Sequence, residues 1–87
     1  MHYVYVLKSQ KYKNLKLYYG FTSDLKKRLR EHNSKKNAST EYGIPWKLVY
    51  YEAFLNKEDA VRREKSLKTG TSSIGFLKKR INKSLLE

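Results

Sequence analysis

Six residues of this sequence have types and spacings that could act together on a phosphodiester: Tyr5, Tyr18, Gly20, Arg28, His32 and Glu64. Glu64 is the least ordinary of them. It stands i+4 from Ala60, i+3 from Val61 and i−3 from Leu67, so on a helix it falls in the middle of the apolar stripe. A carboxylate there is costly unless a cation or a metal ion meets it, because packing does not repay the desolvation of the ion. Either partner fits: an arginine or lysine, of which the chain has many, or a hard divalent ion. A lone carboxylate with few protein co-ligands suits Mg²⁺, which keeps several waters and takes other oxygens from a substrate phosphate. Softer metals want His or Cys clusters, and the chain has two histidines and no cysteine.

Arg28 lies in the basic run Asp24 to Asn33, at the border of a helical stripe defined by Leu25 and Leu29. A solvated helix arginine is the ordinary outcome. A guanidinium fixed at a core edge, however, can grip a phosphate bidentately and stabilise the extra charge of a transition state. His32 falls close to the same stripe, as a satisfied core histidine or as a base. Tyrosine is a favoured strand residue, and a phenol, with a pKa of about 10, serves as a base only where positive charge favours the phenolate. Gly20 at a strand end would let a phosphate or a backbone come close.

The elements that must position these groups follow from periodicity and punctuation. Residues 2–8 alternate with apolar groups on both faces, which predicts a central strand, and residues 16–21 resume the pattern to make a hairpin. Pairing Ser9 with Asn14 would set Tyr5 opposite Tyr18 and put both rings on one face. Thr22-Ser23-Asp24 supplies an N-cap hydroxyl and a first-turn acid, which predicts a helix from about Asp24 to Asn33, with Asn33 as its terminator. Residues 34–45 read as a polar basic loop closed by the only proline, in which Lys35 and Lys36 are candidate phosphate contacts. Residues 46–54 form a third strand, and Asn56 caps a helix through about Lys68, with Gly70 just past its end. Lys68 is a further candidate for substrate binding. After a linker at 69–73, a last helix over 74–85 is expected to bury Phe76, Leu77, Ile81 and Leu85. Tyr3, Tyr19, Tyr42, Trp46, Tyr50 and Tyr51 are assigned to core or to base stacking.

Eighty-seven residues suffice for one domain, spanning 1–87, with chemistry and specificity in the same fold. The net charge of +12, spread along the chain, points to a polyanionic partner, nucleic acid first. Disulfide frameworks, thiolate metal sites and a Cys nucleophile are excluded, and a reducing cytoplasm fits. The apolar run at the N-terminus is too short for a signal or a membrane span, so a soluble, unprocessed protein with no membrane partner is expected.

The order Tyr3-Val4-Tyr5, Tyr18-Tyr19-Gly20, Asp24 to Asn33, Trp46 to Glu52 and Ala60 to Lys68 resembles the GIY-YIG endonuclease superfamily, most closely its small stand-alone bacterial members. The resemblance spans nearly the whole chain. It implies an α+β fold with a three-stranded antiparallel sheet flanked by three helices, and hydrolysis of DNA dependent on one Mg²⁺ or Mn²⁺. It assigns Tyr5 and Tyr18 to the two motif tyrosines, Gly20 to the motif glycine, Arg28 to the helix arginine, His32 to the helix histidine and Glu64 to the metal. In this mapping Tyr5, in preference to Tyr18, takes the proton of the attacking water, and the products carry 5′-phosphate and 3′-hydroxyl ends. Tyr3-Val4 and Tyr19 depart from the Gly-Ile and Ile of the motifs. Many larger members add a DNA-recognition domain that is not expected in this sequence, so the resemblance implies no sequence-specific site, and nicked, branched or single-stranded DNA, in repair or processing, are the candidate substrates. A catalytically weak basic nucleic-acid-binding module is the alternative, and RNA is a further possible partner.

Overall fold

The computed structural model describes residues 1–69 and 72–87, with Ser72 by its backbone alone. Strand β1 (His2–Ser9) lies between β2 (Leu17–Thr22) and β3 (Trp46–Phe54), antiparallel to both, as expected for a strand apolar on two faces. Helix α1 (Leu25–Asn33) covers one face. The other carries α2 (Lys57–Lys68), α3 (Ser72–Arg80) and α4 (Asn82–Leu86). No helix among the described residues is long and apolar enough to cross a membrane.

The alternation of β1 divides the core in two. Val4 and Val6 face α2 to α4 and pack with Ala60, Leu67, Leu77, Ile81 and Leu85. Tyr5 and Leu7 face α1 with Trp46, Leu25 and Leu29. Asn56 caps α2 as expected, accepting from Glu58 N, whereas α1 is capped by Asp24 itself, which accepts from Lys27 N in place of a hydroxyl and so stands before the first turn and not within it.

The hairpin register differs from the expected one. Ser9 N donates to Lys16 O, so the loop is longer than four residues and the pairing slips by two. Tyr5 faces Gly20 and Leu7 faces Tyr18. A slip of two preserves facing, so Tyr5 and Tyr18 still share the α1 face. The expected last helix is two, parted at Ile81, whose ψ of 23° leaves the helical range. Phe76 was expected inside and is 69% exposed, and Val61, expected in the α2 stripe, is also exposed. The buried stripes are Leu77, Ile81 and Leu85, and Ala60 and Leu67, which leave each misplaced residue about a hundred degrees of helical turn to one side. Residues 34–45 are more than a polar loop: they hold a 3₁₀ turn (Glu41–Gly43), and Thr40 before it is fully buried. Of the expected 69–73 linker, residues 70 and 71, Gly70 included, lie outside the described residues, and α3 begins at Ser72.

Gly20 is fixed by packing. A Cβ built there would stand 2.2 Å from the Tyr5 hydroxyl, so the ring of Tyr5 occupies the space a side chain would take. Gly20→Ala is therefore expected to cost about 1–3 kcal/mol through overpacking, at about 4–8 °C of melting temperature per kcal/mol in a domain of this size. Gly75 in α3 meets nothing within 4 Å, and Gly75→Ala should be neutral or gain up to about 1 kcal/mol. Thermal unfolding followed by circular dichroism compares the two, and an unshifted melting temperature in Gly20→Ala would contradict the packing.

Candidate active site

Tyr5 is 2% exposed in the central strand, so its hydroxyl must find partners inside the protein. It finds two. His32, fully buried on α1, lies with Nε2 2.8 Å away, and Arg28 Nε, one helical turn earlier, donates to the phenol oxygen at 3.4 Å. Thr40 decides the direction of the chain. Its hydroxyl donates to Asn37 O at 3.3 Å and so accepts from His32 Nδ1–H at 2.8 Å. His32 is then the neutral tautomer with Nε2 as acceptor, and Tyr5 O–H donates to it.

The protonation states agree with this chain. Burial pushes the Tyr5 phenol above its ordinary range; the Arg28 hydrogen bond and charge pull it down, and the Tyr18 and Glu64 charges push it up. Tyr5 thus rests as a phenol. Burial, aided by the positive charge of Arg28, holds His32 below the usual imidazole value against an opposing pull from Glu31. Arg28 is held firmly protonated, chiefly by its hydrogen bond to Tyr5, and it also bridges to Glu31 at 3.3 Å.

Glu64 comes from the opposite layer. Helix α2 packs beneath the sheet, yet Glu64 and Lys68 on its flank reach past the edge strand β2. The charge of Glu64 acts on Tyr5, and Lys68 Nζ lies 5.9 Å from the centroid of the Tyr18 ring. Glu64 is not sunk in its stripe: its side chain keeps 22% exposure and pairs with Lys68 at 3.6 Å. Partial exposure and a lysine partner together explain how a carboxylate fits there. The ring of Tyr18 stands edge-on to His32 at 5.0 Å. Tyr5, Arg28, His32 and Tyr18 thus form one cluster, Lys68 lies over the Tyr18 ring, and Glu64 is tied to them through its pair with Lys68.

Gly20 adjoins them, but on this face its missing side chain makes room for Tyr5. Lys35 and Lys36 are exposed beyond α1 and do not join the cluster. Lys36 shares an open groove with Lys27, Arg30, Glu31 and Ser34, and a second groove, sharing Lys27 and Glu31, includes Arg28. Two supporting residues escape sequence reasoning. Thr40 orients His32, and Asn33, expected only to end the helix, instead grips Trp46 at both backbone groups, donating from Nδ2 at 2.9 Å and accepting at Oδ1 at 2.6 Å. Neither has a periodic signal. Among the described residues no group of three or more His, Cys, Asp or Glu could hold a metal. The donor set at the edge is therefore one carboxylate, which fits a hard divalent ion that keeps most of its water and not a soft one.

The chain matches a family model, the GIY-YIG catalytic domain, over residues 1–82. It is similar to UPF0213 protein SpyM50708 of Streptococcus pyogenes serotype M5 (strain Manfredo), 42% identical over 79 residues that cover 86% of this chain and 83% of that one. It is also similar to UPF0213 protein SpyM3_1077 of Streptococcus pyogenes serotype M3 (strain ATCC BAA-595 / MGAS315), 45% identical over 65 residues, 70% of this chain and 71% of that one. No solved structure matches it.

The buried imidazole has a thermodynamic signature. Its folded pKa lies below that of the unfolded chain, about 6.5, so the unfolded chain binds the proton first as pH falls. The stability present above that value is lost as pH falls toward and through the folded one. Urea midpoints taken from about pH 8 down to about pH 5 should decline more steeply for the parent than for His32→Gln. Parallel curves would mean that His32 is not the group being titrated.

Proposed function

The chain belongs to the GIY-YIG catalytic-domain family, and on that premise we propose that it is a divalent-metal-dependent endonuclease that hydrolyses DNA phosphodiester bonds. The supporting observation is convergence: β1, β2, α1 and α2 bring two phenols, a guanidinium and a half-open carboxylate to one edge of the sheet, in a chain of net charge +12. Few structural needs demand that set in one place.

In this proposal Glu64 holds the Mg²⁺ or Mn²⁺ ion, and Lys68, only loosely paired with it, turns to the substrate phosphate. When bound, such an ion supplies positive charge to the phosphate and to the departing 3′ oxygen. Arg28, already oriented by Tyr5 and Glu31, stabilises the negative charge that builds on the phosphate oxygens. Tyr5 receives the proton of the attacking water, and because it already donates to His32, its own proton passes to Nε2 in the same movement. His32 ends as an imidazolium and Tyr5 remains a phenol, which avoids a free phenolate in a site where burial disfavours one. Tyr18, beneath the Lys68 ammonium, orients the water. The proposed products are a 5′-phosphate and a 3′-hydroxyl.

Purified protein with Mg²⁺ or Mn²⁺ should cut plasmid or single-stranded DNA, and EDTA should abolish the activity. Glu64→Gln and Arg28→Ala should each slow cleavage by about 10²-fold or more while remaining folded. Unchanged cleavage by both folded variants would overturn the proposal. DNA binding that falls steeply with salt and survives Glu64→Gln, without cleavage by the parent, would instead favour a binding module.

A further inference from the structure

Two rings at the hairpin end of the sheet are left open where packing does not need them. Tyr12, in the loop between β1 and β2, is 37% exposed, and Tyr42, in the 3₁₀ turn, is 46% exposed. Their centroids lie 6.3 Å apart with the planes inclined at 50°. Two ammonium groups lie over the first ring, Lys11 Nζ at 5.8 Å and Lys16 Nζ at 6.0 Å from its centroid, on flexible exposed side chains, and Lys13 is exposed in the same loop. From Lys8 to Lys16 the chain has four lysines and no acid. Glu41, next to Tyr42, is the acidic residue of the adjoining turn.

The support beneath these rings is built from many short contacts. Ser9 Oγ donates to Gly43 O at 2.6 Å and accepts from Lys11 N at 3.2 Å, and Gln10 N donates to Pro45 O at 2.8 Å. The buried indole of Trp46 donates to Thr40 O at 2.7 Å and fills the space beside Gly43, where a Cβ would come within 2.2 Å of it. Tyr42 stands edge-on to that indole at 5.8 Å, and Tyr18 lies 6.2 Å from it. The same buried ring therefore touches both the open pair and the candidate active site.

We propose that Tyr12 and Tyr42 are a stacking platform for unpaired bases of a single-stranded nucleic acid, with Lys11, Lys13 and Lys16 taking the adjoining phosphates. This rests on the nuclease reading and deepens it by naming the substrate as a strand with unpaired bases near the cleaved bond. A base within a duplex has both faces covered by its neighbours, whereas an unpaired base offers a face to a ring. Alternating rings and ammonium groups suit a chain that alternates bases and phosphates, and stacking without base-edge hydrogen bonds tolerates any sequence. The acid-free loop repels an acidic competitor less than it attracts one, so the rings, and not the charge, are what single out bases.

The test is binding by fluorescence anisotropy at one fixed salt concentration in EDTA, with a labelled oligothymidylate and a duplex of equal length. Tyr12→Ala and Tyr42→Ala should each weaken oligothymidylate binding about tenfold and duplex binding less than about twofold. Tyr12→Phe and Tyr42→Phe, which keep the ring faces, should retain both affinities within about twofold. Thermal melts establish that each variant is folded. Equal losses on the two DNAs, or no loss on oligothymidylate by folded alanine variants, would overturn the platform. Because nothing is cleaved in EDTA, a protein that proves inactive can still pass this test, and an active nuclease can fail it.

Discussion

The hydrogen bond between Tyr5 and His32, 2.8 Å long and made by two buried residues, is the constraint on which the rest of the site depends. A phenol in the middle of a central strand brings a polar atom into the core, and leaving it unpaired would cost the full desolvation of that atom. Each remedy creates the next requirement. His32 must be neutral to accept, so its Nδ1–H needs an acceptor, and Thr40 is drawn in from the following loop to provide one. Thr40 in turn is held by Asn37 and lends its carbonyl to Trp46. Among the described residues no buried side-chain polar atom is left without a partner. Since a half-satisfied buried network is worse than an apolar core, these residues stand or fall together.

The opposite layer is tied in by charge. Arg63 on α2 donates from Nε to both oxygens of Glu52 at 3.0 Å and from Nη2 at 2.8 Å, and Tyr50 donates to the same carboxylate at 2.8 Å. A forked contact of this kind fixes direction as well as distance. With Ala60 and Leu67 buried under the sheet and Arg63 clamped to β3, α2 has little freedom to roll about its axis. Glu64 and Lys68, adjacent on its flank, are thereby held over the β2 edge.

How much of this could be read from residue order depends on the range of the interaction. The strands, the helix caps and the central place of β1 are local or periodic, and they were legible. The border position of Arg28 followed from its angle to Leu25 and Leu29. Glu64 was correctly singled out as a carboxylate in need of a partner, yet its depth was not legible, because a helical wheel does not know where the sheet beneath it ends. The hairpin register was missed because polar residues 10–16 do not mark where pairing stops. Thr40 and Asn33 were invisible for a related reason: each acts through a single contact with a residue in another element, and no spacing rule encodes that. Gly20 was legible as a place of close approach, but what approaches it on this face is the protein's own tyrosine.

The distribution of charge separates two tasks. Four of the eight acidic residues, Glu31, Glu52, Asp59 and Glu64, are engaged by Arg28, Arg63, Arg62 and Lys68, and Asp24 caps α1. The fold has therefore spent most of its negative charge on internal geometry and leaves the lysine excess unneutralised. Between Glu64 and Glu87 there is no acid at all, while Lys78, Lys79, Arg80 and Lys83 are exposed on α3 and α4. Such an excess destabilises a compact state through self-repulsion and contributes nothing to the packing that defines it. It is screened within about 8 Å at physiological salt, so exposed cations of this kind work at short range. They act only on what lies against them. Under the proposed function a dispersed basic surface of this kind would hold a polyanion without fixing its register, and register would be left to the few residues whose neighbours hold them in place: Arg28, Lys68 and the rings at the hairpin end.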